Sequence, residues 1–285
     1  MTSTEIAAAS KVMLGTTEAV AMYIGSTLIW PRGEQEHDYS QDYLTFRALE
    51  DGTFKFGGNS INYSLNSGVT WVSLAGDTDS PTVNSGQTIL WKASLTASFD
   101  DGIGTFSSSG EFEVEGNIMS LLYGDNFRGQ TSLRSYAYVF SNLFYQCVDL
   151  VNAENLVLPA TTLADSCYQH MFDSCSSLMI APKLLATTLA DTCYKYMFAF
   201  CDSLTTAPEL LATTLENESY SHMFMGCSNL SSITCLATDI DAYGTELWLY
   251  NVASSGTFIK AASMTSWESG ESGIPDGWTV QNYSS

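Results

Sequence analysis

Hydrophobic and polar positions repeat at a fixed distance between residues 138 and 236. The phrase Met-Phe-x-x-Cys-x-x-Leu occurs three times, and its cysteines, Cys175, Cys201 and Cys227, are 26 residues apart. A looser copy, Leu-Phe-Tyr-Gln-Cys, ends at Cys147, 28 residues before Cys175. A fixed period of this length predicts a solenoid, in which each unit buries its apolar face against its neighbours.

Within one unit, the apolar residues from Leu163 to Cys175 are spaced by one, three and four positions. This spacing predicts one face of a helix of about three turns. The apolar residues that alternate after it are Leu178, Ile180, Pro182 and Leu184. They predict a short strand with one inward face, which the proline makes loosely paired. We therefore expect about four stacked units, each with a strand, a turn and a helix.

Aligned units place one phenylalanine and one cysteine at equivalent positions. These predicted core residues are Phe144, Phe172, Phe198 and Phe224, with Cys147, Cys175, Cys201 and Cys227. Cysteines fixed at one repeat position predict a column of small buried side chains. The odd count of seven cysteines disfavours a disulfide framework, and the absence of Cys-x-x-Cys disfavours a zinc site. We expect free thiols and folding in a reducing cytoplasm.

Seven short alternating runs precede the repeats and are separated by Gly, Asn and Ser. They are residues 43–46, 53–56, 61–65, 70–74, 88–91, 104–106 and 111–115. This pattern predicts an immunoglobulin-like β-sandwich over residues 41–116. Asp51-Gly52 predicts a tight turn between the first two strands.

The last of these runs carries Glu111, Glu113 and Glu115 on one strand face. Neighbouring carboxylates on such a face lie about 7 Å apart, which overlaps the spacing in inverting glycosidases. Any alternating acidic strand produces this spacing, so we interpret these residues as a solvated face.

Residues 1–40 contain two short apolar segments, each with a glycine, which predict a hairpin or paired ribbon followed by a linker. The ribbon either caps the next domain or docks the chain onto a partner. The candidate docking residues are Leu14, Gly15, Tyr23, Ile24, Gly25, Leu28 and Trp30. The first ten residues lack a basic segment and no apolar segment of useful length follows, so no secretory signal is predicted.

Residues 117–240 are expected to hold the repeats with their N-terminal cap, and residues 241–285 a β-rich C-terminal cap. Trp248, Phe258, Trp267 and Trp278 lie in this last segment. They form either the core of the cap or a platform on which sugar rings stack. Trp267 is the candidate ligand-binding residue.

The chain is 45% hydrophobic and 12% aromatic, which predicts a globular protein. Its net charge of −21, without a basic patch, disfavours nucleic acid and anionic membranes as partners. The sequence contains no run of 18 apolar residues, so it predicts no membrane-spanning helix. Tyr196 replaces His170 and His222 at one repeat position, which argues against a catalytic base there. Nucleotide-binding and hydrolase motifs are absent, so we predict no enzymatic activity, no cofactor and no metal.

The phrases Met-Phe-x-x-Cys-x-x-Leu and Ala-Thr-Thr-Leu, and the ending from Ser254 to Val280, resemble BspA-like leucine-rich repeats of gut-bacterial surface proteins. The resemblance covers residues 131–280 and implies a recognition scaffold. The phrase Tyr-Ile-Gly-Ser-Thr-Leu-Ile-Trp at 23–30 resembles short phrases that open phage head- and tail-appendage proteins.

Together the resemblances imply a mixed α+β protein: a β ribbon and β-sandwich followed by a short leucine-rich repeat solenoid. The function implied is that of a virion protein similar to those of crAss-like Bacteroides phages, either a head fibre or capsid decoration, or a tail fibre. A bacterial surface adhesin or glycan-binding protein is the alternative. Expected partners are other virion proteins, copies of the same chain, and host surface glycan or protein. The protein would assemble in the host cytoplasm.

Overall fold

The computed structural model of the chain describes residues 22–24, 27–30, 37–96, 102–238, 243–265 and 267–284. Strands dominate their regular structure, with one four-residue α-helix and two short 3-10 helices. The chain divides into two compact units, Met1–Asp38 and Tyr39–Ser285. The predicted strand content is therefore confirmed, and the sheets are mixed parallel and antiparallel.

The strands are β1 (Met22–Ile24), β2 (Thr27–Trp30), β3 (Leu44–Ala48), β4 (Phe54–Gly58), β5 (Ile61–Ser64), β6 (Val72–Leu74), β7 (Thr88–Lys92), β8 (Gly104–Ser108), β9 (Phe112–Asn117), β10 (Leu150–Asn152), β11 (Leu156–Val157), β12 (Ser232–Cys235), β13 (Thr257–Lys260) and β14 (Thr279–Asn282). The α-helix, α1, is Ser120–Tyr123, and the 3-10 helices are Tyr39–Gln41 and Gly124–Asn126. Each of the seven strands predicted between residues 43 and 115 is present, as β3 to β9.

In the first unit, β1 and β2 pair antiparallel. Tyr23 lies opposite Leu28, and Met22 lies opposite Trp30. The register shifts between Met22 and Tyr23, so the ribbon is irregular at that point. Paired strands were predicted for this segment.

Two sheets enclose an aromatic core. The larger has the strand order β10-β9-β3-β7-β5-β6, with β11 also paired to β9, and the smaller is β4-β8. Phe46 on β3 lies with its ring centroid 5.3 Å from that of Phe54 on β4 and 4.8 Å from that of Phe106 on β8. All three side chains are buried, so the two sheets pack on each other through these rings.

The Asp51-Gly52 turn lies between β3 and β4, as predicted, but these strands do not pair with each other. β3 pairs with β7 and β9, whereas β4 pairs with β8. The turn therefore carries the chain from one sheet to the other. A turn signal is local, whereas the choice of strand partner depends on which faces the whole core covers.

The repeats form four consecutive coils, which we number 1 to 4: residues 138–163, 164–189, 190–215 and 216–238. We call them together the turn stack. The helix predicted from Leu163 to Cys175 is wrong, because coil 2 contains consecutive turns there. Ser166, His170 and Ser174 have φ of 55°, 55° and 63°, a left-handed conformation that no right-handed helix contains.

Main-chain hydrogen bonds explain why turns replace the helix. The amide of Met171 closes a turn on the carbonyl of Tyr168 at 3.2 Å. The amide of the next residue, Phe172, instead donates to the carbonyl of Met197 in coil 3 at 2.8 Å. This alternation continues along coils 1 to 4, so alternate amides connect neighbouring coils and satisfy donors that a helix would use internally. The buried positions accordingly recur every four residues, not every 3.6.

The predicted strand after each turn is present only in part. Ile180 forms an isolated parallel bridge with Asn152, and 43% of its surface is exposed, so its predicted inward orientation is wrong. Leu178 and Leu184 are buried as predicted.

The turn stack is paired with the larger sheet at its first coil and with a small parallel sheet at its last coil. β10 and β11 in coil 1 pair parallel with β9. The amide of Phe106 on β8 donates to the carbonyl of Leu143 at 2.7 Å. At the other end, β12 in coil 4 pairs with β13, and β13 with β14. One hydrophobic core therefore runs from β3 to Trp278.

Candidate recognition surface

The phenylalanine column fills the interior of the turn stack. The ring centroids of Phe144 and Phe172 are 5.4 Å apart, those of Phe172 and Phe198 5.3 Å, and those of Phe198 and Phe224 5.6 Å. The ring planes differ by 8° or less, and all four side chains are fully buried. A period of one ring per coil thus places equivalent rings face to face.

The cysteine column lies beside these rings, at the end of the turns. The Sγ–H of Cys175 donates to the carbonyl of Phe144 at 3.0 Å, and that of Cys201 donates to the carbonyl of Phe172 at 3.1 Å. Cys227 repeats the contact with Phe198, while Cys147 is buried at the start of the column. The thiols of Cys175, Cys201 and Cys227 therefore each donate to a carbonyl of the preceding coil.

Burial raises the pKa of every one of these thiols. The pKa of Cys147 rises to about 12, because desolvation disfavours the thiolate and Asp149 adds to the effect. The pKa of Cys193 and that of Cys235 also rise to about 12. All seven cysteines are free and buried, so the thiols remain protonated at neutral pH and unreactive.

A second aromatic column lies at the surface of the turn stack. The rings of His170 and Tyr196 stack at 4.6 Å, and those of Tyr196 and His222 at 4.4 Å. Tyr145 meets His170 edge-on at 6.4 Å and is 38% exposed. We call these four residues the surface column. Because the stacked rings cover each other's faces, the column presents ring edges and polar atoms to solvent.

Charged and polar side chains surround the surface column. The Nδ1 atom of His170 lies 2.8 Å from Oδ2 of Asp173, and Nδ1 of His222 lies 2.7 Å from Oγ of Ser221. Lys195 pairs with Glu218 alongside. Burial lowers the pKa of His222, against the opposing effect of Glu246. The neutral imidazole is therefore favoured, and it provides hydrogen-bonding groups without a fixed charge.

Sequence reasoning placed His170, Tyr196 and His222 at one repeat position but did not predict that they stack. All three have positive φ, between 55° and 57°, and Asn142 at the same position of coil 1 has φ 60°. The left-handed backbone orients each side chain along the stack. The signal in the sequence was the aromatic or imidazole ring recurring every 26 residues.

The candidate docking residues fall partly outside the described residues. Leu14, Gly15 and Gly25 lie outside them. Tyr23 and Ile24 are in β1, and Leu28 and Trp30 are in β2, on the two paired strands of the ribbon. Their role in docking stays a prediction.

Trp267 lies in an aromatic cluster near the C-terminus. Its ring stacks on that of Trp248 at 5.7 Å and 10°, and meets Phe258 edge-on at 5.2 Å. It is partly buried against the core, and its buried Nε1 atom has no hydrogen-bond partner among the residues that the structure describes. One ring face is thus covered by Trp248, and its role in ligand binding stays a prediction.

The sequence predicted a solvated acidic face on β9, but two of its carboxylates are partly covered and bonded to other side chains. Glu115 pairs with Arg47 at 2.9 Å, and its side chain is only 16% exposed. Asn152 donates to Glu113 at 3.2 Å. Desolvation raises the pKa of Glu115, while Arg47 opposes the rise. Glu115 therefore joins β9 to β3 within the larger sheet, and Glu113 joins β9 to β10 of coil 1.

Comparison of the chain with protein-family models, with curated proteins and with solved structures found no match. Within the residues that the structure describes, no helix has the length and apolar character needed to span a membrane. In the same residues, no three His, Cys, Asp or Glu side chains are grouped so as to hold a metal ion.

Proposed function

We propose that the chain is a non-enzymatic structural protein of a phage virion. It docks through residues 1–40 and projects a leucine-rich repeat domain for adhesion to the host surface. A head fibre or capsid decoration is our first assignment, and a tail fibre or receptor-binding protein is the second. Its partners are virion proteins at the N-terminus, copies of itself, and host surface glycan or protein.

The proposed domains are the ribbon and linker (1–40), an immunoglobulin-like sandwich (41–116), the leucine-rich repeat solenoid with its N-terminal cap (117–240) and a C-terminal cap (241–285). The seven strands in two packed sheets support the sandwich assignment. The coil-to-coil hydrogen bonds, repeated in the same register, support the solenoid assignment.

The single observation that carries a recognition role is the surface column. Coils 2, 3 and 4 carry a ring at the same repeat position, and these three rings stack into one row of aromatic and imidazole edges. Rigid amphipathic rings lose little conformational entropy on binding, and they are enriched at recognition surfaces. The buried, protonated thiols offer no nucleophile, which favours recognition over catalysis.

A cell-binding experiment tests adhesion. The Tyr196→Asn variant removes the central ring of the surface column while keeping a residue that tolerates positive φ, like Asn142 in coil 1. We expect labelled Tyr196→Asn protein to bind intact Bacteroides-type host cells about tenfold more weakly than wild type. The matched control is Tyr283→Asn, which changes a tyrosine that is 37% exposed outside the column. Equal binding by both variants would refute adhesion through the column.

Mass spectrometry of purified particles and of host-cell fractions tests the virion assignment. We expect the chain at a fixed ratio to the major capsid protein, and that ratio separates a head decoration from a tail fibre. An abundant cytoplasmic host protein measures carry-over into the particles. Presence in the bacterial envelope only, and never in particles, would reject the virion and support the surface adhesin or glycan-binding protein.

A further inference from the structure

A groove of about 260 Å³ separates coils 2 and 3 on one side of the turn stack. One wall is formed by residues 181–185 and the other by Pro208, Glu209 and Leu211. The two walls carry equivalent phrases, Ala-Pro-Lys-Leu-Leu and Ala-Pro-Glu-Leu-Leu. We call this feature the proline groove.

The prolines explain why the coils separate here. Pro182 and Pro208 occupy equivalent positions of adjacent coils, and neither has an N–H to donate to a neighbouring strand. Among the described residues, no main-chain hydrogen bond joins residues 181–186 to residues 207–212. Earlier in the same coils, by contrast, the amides of Phe172 and Ser174 bond directly to coil 3.

The far side of coil 3 is paired, which shows that its main chain is able to form a ladder. The amide of Leu210 donates to the carbonyl of Thr234, and the carbonyl of Leu210 accepts from the amide of Leu236. In an extended segment, alternate residues point their main-chain groups in opposite directions. Glu209 and Leu211 therefore direct theirs toward the groove, where they have no main-chain hydrogen-bond partner within the part of the chain that the structure describes.

Apolar side chains line the groove. Leu185 is 45% exposed on one wall, and Leu211 is partly exposed at the equivalent position of the other. The side chain of Leu184 is buried beneath them. Leu185, Leu211 and the buried Leu184 line a slot for an apolar side chain.

Two unpaired charges flank the slot. Lys183 and Glu209 occupy equivalent positions of the two walls and are both exposed. Neither forms an ion pair among the described residues. The chain as a whole carries −21, so it attracts cationic partners over distances beyond these contacts.

We propose that the proline groove binds an extended peptide segment of a partner protein, with apolar side chains at alternate positions and a net positive charge. The peptide main chain bonds to the free main-chain groups of the walls, as in strand addition. An apolar side chain enters the slot between Leu185 and Leu211, and a cationic side chain meets Glu209. This inference rests on the proposed recognition function and names its partner at a second site.

Peptide display tests the inference with purified full-length protein. A library of random linear peptides is panned against wild type, and enriched peptides are synthesised and titrated against variants. We expect enrichment of cationic peptides with alternating apolar residues. Leu185→Asp should weaken their binding by about tenfold or more, because it places an unpaired charge in the slot. Glu209→Gln should weaken it less and should reduce its dependence on salt.

The matched control is Leu49→Asp, at a leucine that is 39% exposed outside the turn stack. Leu185 is exposed, so its replacement leaves the core intact, and thermal unfolding of each variant checks this point. Failure to enrich any peptide, or equal affinity for wild type and Leu185→Asp, overturns the inference. The inference is also overturned if the wild-type protein binds glycans on an array and the Leu185→Asp variant does not. Each of these outcomes leaves the particle-association result unaffected, so the two proposals fail separately.

Discussion

Phe198 lies in the middle of a column of four buried rings, and its position shows how single residues stabilise the turn stack. It contacts Phe172 on one side and Phe224 on the other, and its surface is fully buried. Phe200, two residues later in the same coil, is 44% exposed. Two phenylalanines of the same coil thus differ in burial, and we expect this difference to determine how much each contributes to stability.

Phe198→Ala should lower the free energy of unfolding by about 3–5 kcal/mol, because it removes a stacked ring and leaves a cavity between two others. Phe200→Ala should cost about 1 kcal/mol or less, since 44% of its surface is already exposed. Guanidinium denaturation followed by tryptophan fluorescence measures both. Similar losses for the two variants would contradict the burial of the phenylalanine column.

The cysteines give a second prediction at the residue scale. All seven are free and buried, and burial raises the pKa of their thiols, for Cys147 to about 12. A thiol reagent such as Ellman's reagent should therefore react with the native protein at pH 8 only as fast as the protein unfolds locally or globally and exposes the thiols. In guanidinium, seven thiols should react. Fewer than seven under denaturing, non-reducing conditions would indicate a disulfide, and rapid labelling of the native chain would indicate an exposed thiol.

The turns are the elements that define the repeats, and their regular left-handed positions set the geometry of the surface. In the turns of coils 1 to 3, three residues spaced four positions apart have positive φ, including bulky residues such as Tyr196 and Phe200. Left-handed backbone costs about 1–2 kcal/mol for such residues. Each of these amides donates to a carbonyl of the next coil, for example Tyr196 to Ser221 at 3.1 Å, which offsets the cost.

His222 of the surface column should make the stack sensitive to acid. The pKa of His222 in the folded protein is lowered, chiefly by burial, so the unfolded chain binds its proton more readily. Stability from this group is complete above the unfolded pKa of about 6.5 and is lost as the pH falls through the folded pKa.

His222→Asn should lose less stability between pH 7.5 and pH 5 than wild type. Asparagine tolerates positive φ, as Asn142 does at this position. Unfolding midpoints of both proteins at the two pH values measure the difference. An equal or larger loss in the variant would show that other groups produce the acid sensitivity.

At the scale of the whole second unit, the two sheets and the turn stack form one body. β9 pairs on one edge with β3 and on the other with β10 and β11 of coil 1. The ring of Phe106 on β8 stacks on Phe144 of the phenylalanine column at 5.8 Å. Shared strands and a shared core predict that sheets and stack unfold together.

Gly102 lies at the junction between the sheets and coil 1. Its φ is 68°, and a Cβ there would lie 2.5 Å from the carbonyl oxygen of Ser141 in coil 1. Gly102→Ala should cost about 2–5 kcal/mol, from left-handed strain and displacement of the first coil. At Gly86 the φ is 81°, and no described atom lies within 4 Å of an added Cβ, so Gly86→Ala introduces backbone strain alone and should cost about 1–2 kcal/mol. Equal losses of stability in the two variants would mean that coil 1 moves away from the added Cβ at residue 102 without a loss of free energy.

The sequence predicted much of this architecture because several of its signals are local. Alternation located β3 to β9, because side chains alternate between faces in any strand. The 26-residue period aligned Phe172 with Phe198 without knowledge of the structure. The only sign of the proline groove in the sequence is the repeated Ala-Pro phrase. The groove is open because coils 2 and 3 form no main-chain hydrogen bonds there among the described residues, and the sequence does not show which bonds form between coils.

The sequence by itself determined the position of the strands, the period of the repeat and the residues that stack in its interior. Only the tertiary structure decided that turns replace the predicted helices, that β3 and β4 lie in different sheets, and that His170, Tyr196 and His222 form one column. The physical reason is the destination of each hydrogen bond. The amide of Phe172 bonds to a residue 25 positions away, and no spacing within one unit reveals that partner.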